Sequence, residues 1–139
     1  MFDGNNAQNL QIHHTMKTKR LLMLMFASAA LLFVSCKKDT TYTFIDNYGC
    51  PGASEYSVIL SEYDASGSRV MTNKLDDPTV GQKYLYTANE HAEKVKVKFQ
   101  YKFGTTSYNK WAQQVWYLEE GKNIDVVTDG ETIVGSQEP

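Results

Sequence analysis

Past residue 36 the chain holds a single histidine, His91, set between carboxylates in Asn89-Glu90-His91-Ala92-Glu93. Glu90, His91 and Glu93 are residue types that ligate zinc. Neighbours on a polar loop rarely converge on one ion, however, and no second histidine follows. A Ser-His-Asp site would have to be built on the same His91, and no Gly-x-Ser-x-Gly elbow stands ready to present a serine. Carboxylates pair at Asp76-Asp77 and Glu119-Glu120, both at turns, whereas glycosidic acid–base work needs a pair facing across a cleft. Asp76, Asp77, Asp125 and Asp129 lack the spaced oxygens of a calcium loop. His13 and His14 are adjacent, with no further ligand nearby. The expectation is a protein with no catalytic set, no metal and no cofactor, and so not an enzyme.

Aromatic residues are the stronger signal. Read as a strand, Lys110–Leu118 puts Trp111, Gln113, Val115 and Tyr117 on one face and Ala112, Gln114, Trp116 and Leu118 on the other. With a tryptophan on each face, either one ring meets solvent or both enter the core. An exposed ring beside amides suits a sugar, whose C–H bonds stack on the ring while the amide bonds hydroxyls. It equally suits a protein partner, because Trp and Tyr dominate contact energies. The candidate ligand-binding surface is Trp116 and Gln114, with Tyr108 from the neighbouring loop.

The elements that must position these residues read as strands. Lys94–Phe103 is the clearest. Val95, Val97, Phe99, Tyr101 and Phe103 alternate with Lys94, Lys96, Lys98, Gln100 and Lys102. A period of two sends the first set to a core and the second to water. Thr41–Asp46 carries Tyr42 and Phe44 on one face, and Glu55–Tyr63 carries Tyr56, Val58 and Leu60. Asp64-Ala65-Ser66-Gly67 is a turn leading into a returning strand, Ser68–Leu75. Further strands are expected at Gln82–Thr87, Lys110–Leu118, Ile124–Thr128 and Glu131–Val134, with Gly104–Asn109 a loop and Asp129-Gly130 a hairpin turn. No segment has helical period. Seven or eight short strands at this spacing indicate an all-β, antiparallel sandwich, with a small barrel as the alternative.

Cations at Lys17, Lys19 and Arg20 precede an apolar run, Leu21–Val34, that ends in Ser35 and Cys36. As a helix these 14 residues would span about 21 Å, short of a hydrocarbon core of roughly 30 Å. A cleaved signal peptide over residues 16–35 is the better reading. Polar residues 1–15 precede Met16, where translation is expected to start. The segment Leu32-Phe33-Val34-Ser35-Cys36 resembles the lipobox of bacterial lipoproteins, with Phe33 in place of the commonest leucine. That resemblance implies acylation of Cys36, a lipidated tether over residues 36–40 and one domain over residues 41–139.

Residues 37–139 carry 11 Lys and Arg against 15 Asp and Glu, a net charge of −4 that leaves no footprint for nucleic acid. Cys50 is the one cysteine left there, so no disulfide can staple the domain. The Cys36-Lys37-Lys38-Asp39 start, the strand order and the segment Lys110–Gly121 resemble small immunoglobulin-like lipoproteins of the Bacteroidota. This resemblance implies a sandwich on the cell envelope, anchored in the outer membrane with its leaflet open. It assigns no active residue. The functional expectation is a membrane-anchored, non-enzymatic binding or accessory lipoprotein that presents its sandwich to an envelope protein. The alternative is a carbohydrate-binding accessory of a glycan-uptake system.

Overall fold

The computed structural model describes residues 38–139, which form one compact unit. The expected leader, the expected signal peptide and Cys36 lie outside the described residues. Eight strands follow in order: β1 (Thr41–Asp46), β2 (Glu55–Tyr63), β3 (Arg69–Asp76), β4 (Lys83–Thr87), β5 (Lys94–Phe103), β6 (Thr106–Tyr117), β7 (Asn123–Thr128) and β8 (Val134–Gly135). They build two sheets. Sheet A has the order β4-β1-β7, and sheet B the order β3-β2-β5-β6-β8.

The sheets are sandwiched rather than closed into a barrel, because alternate residues of both supply one core. Tyr42, Phe44 and Val126 from sheet A meet Val58, Leu60, Val95, Val97, Phe99, Ala112 and Trp116 from sheet B. Each fully buried Val, Leu or Phe contributes about 1.5–3 kcal/mol before chain entropy is counted. No cysteine cross-link exists among the described residues, so this core carries the stability.

Pairing is antiparallel with one exception. β1 runs parallel to β7 in register from Thr41↔Asn123 to Asp46↔Thr128. An antibody-type sandwich groups strands 1, 2, 5 and 4 against 3, 6 and 7. Here the likeness to it is one of layered architecture, not of connectivity. The Asp129-Gly130 turn is formed, with Thr132 N–H bonded to Asp129 O at 3.1 Å. It does not close a hairpin. It carries the chain from β7 in sheet A to β8 in sheet B, where two residues pair with Trp111 and Ala112.

β6 departs most from its expected form. It begins at Thr106 rather than Lys110, because Gly104-Thr105 makes a tight two-residue turn and the presumed loop is strand. Gly104, at φ 57°, supplies the left-handed conformation such a turn requires. Farther along, the register slips. Lys96 faces Val115 and Lys98 faces Trp111, so Val97 alone opposes Ala112, Gln113 and Gln114. This bulge pushes both glutamines to the surface. Its two extra residues preserve the alternation, so Ala112 and Trp116 both reach the core.

Candidate functional site

Two buried carboxylates invite a catalytic reading, and their partners argue for a structural one. Asp46 Oδ1 accepts from Tyr48 N (3.1 Å), Gly49 N (3.3 Å) and Thr128 Oγ1 (3.1 Å), and Oδ2 accepts from Tyr56 Oη (2.9 Å). Glu62 Oε1 accepts from Tyr42 Oη (2.9 Å), with Asn73 Nδ2 at 3.4 Å, and Oε2 accepts from Asn89 N (2.7 Å). Burial first, and then the neighbouring carboxylate charge, push the Tyr42 and Tyr56 hydroxyls well above the ordinary phenol range. Both tyrosines therefore act as fixed donors. Each carboxylate fastens one end of the sandwich: Asp46 where β1 ends, and Glu62 where β1 begins beside the β4–β5 loop.

The residues singled out for metal or acid–base chemistry do not assemble. His91 is exposed, with its ring 3.4 Å from Glu90 and its backbone N–H donating to Asn89 Oδ1 at 3.0 Å. Asp76 pairs with Lys74, and Glu119 with Lys122. Asp129 uses its carboxylate on Glu131 N and Thr132 Oγ1 inside its own turn. Among the described residues, no three of His, Cys, Asp and Glu lie close enough together to hold an ion. Cys50 sits half-buried in the β1–β2 loop, where burial and the charge of Asp46 raise its thiol.

The proposed aromatic surface separates into three places. Trp116 is 7 % exposed and belongs to the core, so it offers no ring face to a ligand. Gln114 is exposed on the bulge. Tyr108 faces Tyr101 near the tip of the β5–β6 hairpin, six residues along β5 from Val95, the partner of Trp116 in the ladder. Trp111 is also buried, on the outer side of sheet B, with the Lys98 ammonium 5.5 Å from its ring.

Tyr108 instead joins a cluster that the strand pattern assigned to the core. Val95, Val97 and Phe99 are fully buried, but β5 runs on past the sandwich, leaving Tyr101 half-buried and Phe103 41 % exposed. Tyr101 stacks on Tyr108 at 5.2 Å with 17° between planes. Phe103 stands edge-on to both, at 5.8 and 6.2 Å. The β1–β2 loop flanks the cluster. Tyr48 stacks on Phe99 at 4.6 Å, and a Cβ at Gly52 would lie 3.8 Å from the Phe103 ring. Exposed Val80 packs against Gly49 of the same loop. The reverse face of the hairpin is polar, with Gln100 Nε2 donating to Asn109 Oδ1 at 2.7 Å.

Sequence reasoning found Tyr108 but missed Tyr101 and Phe103 as its companions. The available signal was Gly104: a two-residue turn there makes Tyr101 and Tyr108 direct partners across the hairpin. Compared with protein-family models, with curated proteins and with solved structures, the chain matches none.

Proposed function

We propose that the chain is a lipid-anchored, non-enzymatic binding module of the cell envelope, and that it offers the aromatic hairpin end to a protein partner. The observation that carries this reading is the cluster Tyr101, Phe103 and Tyr108, which stays part-exposed at a protruding tip. Aromatic side chains that remain at the surface give the largest contact energy per residue at protein interfaces.

Placement supports the reading. Residues 38–40 lead into β1 at one end of the sandwich, and β1 travels about 20 Å, at 3.3 Å per residue, to Asp46 at the other. The β1–β2 loop and the hairpin tip lie at that far end. With Cys36 acylated, as its lipobox-like setting implies, the aromatic end is the one turned away from the membrane. The glycan alternative fits less well. The rings cover one another's faces, and the nearby amides Gln100 and Asn109 bond each other on the opposite side of the hairpin.

A photo-crosslinking residue in place of Tyr108, in intact cells, tests the proposal. One discrete protein adduct is expected, lost on Phe103→Ser and absent when the probe replaces exposed Leu85 of sheet A. No adduct at Tyr108, together with glycan-array binding that Phe103→Ser abolishes, would overturn the protein reading in favour of sugar.

A further inference from the structure

Sheet B has an unusual outer face. Residues 38–139 hold ten Lys and Arg, and six of them point outward from β3 and β5: Arg69, Lys74, Lys94, Lys96, Lys98 and Lys102. The segment 136–139 lies across this face and the adjoining edge of β6, and side chains hold it residue by residue. Lys110 Nζ donates to Ser136 Oγ (3.0 Å), and Gln113 Nε2 donates to the Gln137 carbonyl (3.0 Å). Lys96 Nζ donates both to Glu138 Oε1 (3.0 Å) and to the Pro139 carbonyl (2.6 Å). Arg69 Nη2 lies 3.6 Å from Glu138 Oε2.

That arrangement reads a peptide. The main-chain oxygens at 137 and 139 and the side chains at 136 and 138 each find a donor, with Lys96 serving both residue 138 and residue 139. The carboxylate seat is pre-formed. Arg69 bonds the Tyr63 hydroxyl from two nitrogens (3.2 and 3.1 Å), and the Lys96 ammonium sits 4.5 Å over the Tyr63 ring. The lysine row expected in water is thus partly roofed: the Lys96 side chain is only 12 % exposed.

Two features of this face remain after residues 136–139 are seated. Ser61 pairs with Lys96 and Thr72 in the ladder, and its hydroxyl is buried with no hydrogen-bond partner. A buried hydroxyl without a partner costs about 1–3 kcal/mol, so this face carries a hydrogen bond that residues 136–139 leave unmade. The face also keeps excess charge. Among the described residues its six cations form ion pairs with Glu55, Asp76 and Glu138, within a domain that is negative as a whole.

We infer that this groove is a binding site for an extended, acidic peptide segment of a partner protein, filled here by the chain's own residues 136–139 as an intramolecular competitor. The inference does not rest on the aromatic hairpin end. The competitor is weakly held. It offers no large apolar side chain, and each of its neutral hydrogen bonds contributes only about 0.5–1.5 kcal/mol net. Its one strong contact is Glu138, where burial would raise the carboxyl but Tyr63 and Lys96 outweigh it and hold it below the ordinary value.

A fluorescein-labelled peptide with the sequence of residues 134–139, titrated by anisotropy against the full chain in detergent, is the test. Glu138→Gln weakens the competitor and leaves the groove intact, so the variant is expected to bind the peptide about tenfold tighter than the native chain. Adding Lys96→Met should return binding to the native level or below. Arg69→Gln, at a half-exposed rim position, should weaken binding severalfold without touching the core. A flat titration with Glu138→Gln up to about 1 mM peptide would overturn the inference. A Glu138→Gln chain that dimerises and excludes the peptide would overturn it too, by making a second copy the occupant.

Discussion

Asp46 and Glu62 illustrate how a charge can be buried for architecture alone. Both are fully buried, and each has oxygens bonded by groups from three or more segments. Asp46 joins β1, β2, β7 and the loop that bears Cys50. Removing its carboxylate leaves the Tyr56 hydroxyl, the Thr128 hydroxyl and two backbone N–H groups without an acceptor. Such a loss at a buried charged network costs about 3–5 kcal/mol. Asp46→Ala is therefore expected to lower the urea-unfolding free energy by that amount, and Asp46→Asn by less, since its amide oxygen still accepts on one side. Neither residue could be recognised from sequence. Asp46 stands at a strand end beside Asn47, and Glu62 follows a serine, so both look like solvated polar positions. Only the two-sheet packing shows that their alternation turns them inward.

At the level of the strands, the period-two alternation carried most of the fold. β1, β2 and β5 have the expected bounds, because each is a clean alternation closed by turn residues. β6 does not, and its failure relocated the candidate site. Its alternation groups Ala112 with Trp116 but neither says that this face is the core nor reveals the bulge, because a two-residue slip leaves parity unchanged. Nor does alternation state how far a strand outruns the opposing sheet. Phe99 and Phe103 share a face and a chemistry, and differ only in whether sheet A extends above them. The two aromatic assignments make opposite predictions. Trp116→Ala should cost about 3–5 kcal/mol, as for any buried tryptophan, while Phe103→Ser should shift stability by about 0.5 kcal/mol or less. Urea titrations of the two variants decide it. Equal, small losses would mean that Trp116 is not a core residue.

The whole molecule has a polarity that its parts do not. β1 enters at the Glu62 end and leaves at the Asp46 end, so residues 38–40 and the aromatic tip lie at opposite poles. Cations gather on the outer face of sheet B, between the two. Residues 37–40 can extend about 14 Å at most, at 3.3–3.6 Å each, so acylation of Cys36 would hold the Glu62 pole close to the bilayer. One acyl chain gives only reversible attachment, since each buried methylene contributes about 0.8 kcal/mol, and several chains give a permanent one. Cys36→Ala is accordingly expected to leave an uncut precursor or to release the domain from washed membranes, as read by fractionation and by the mass of the protein. A Cys36→Ala protein that is normally processed and still sediments with membranes would remove the anchor from the proposal. If the released domain then still forms its Tyr108 adduct in cells, the aromatic end recognises its partner unaided. Loss of that adduct on release would mean that the lipid, by confining the domain to a surface, supplies the effective concentration that the contact needs.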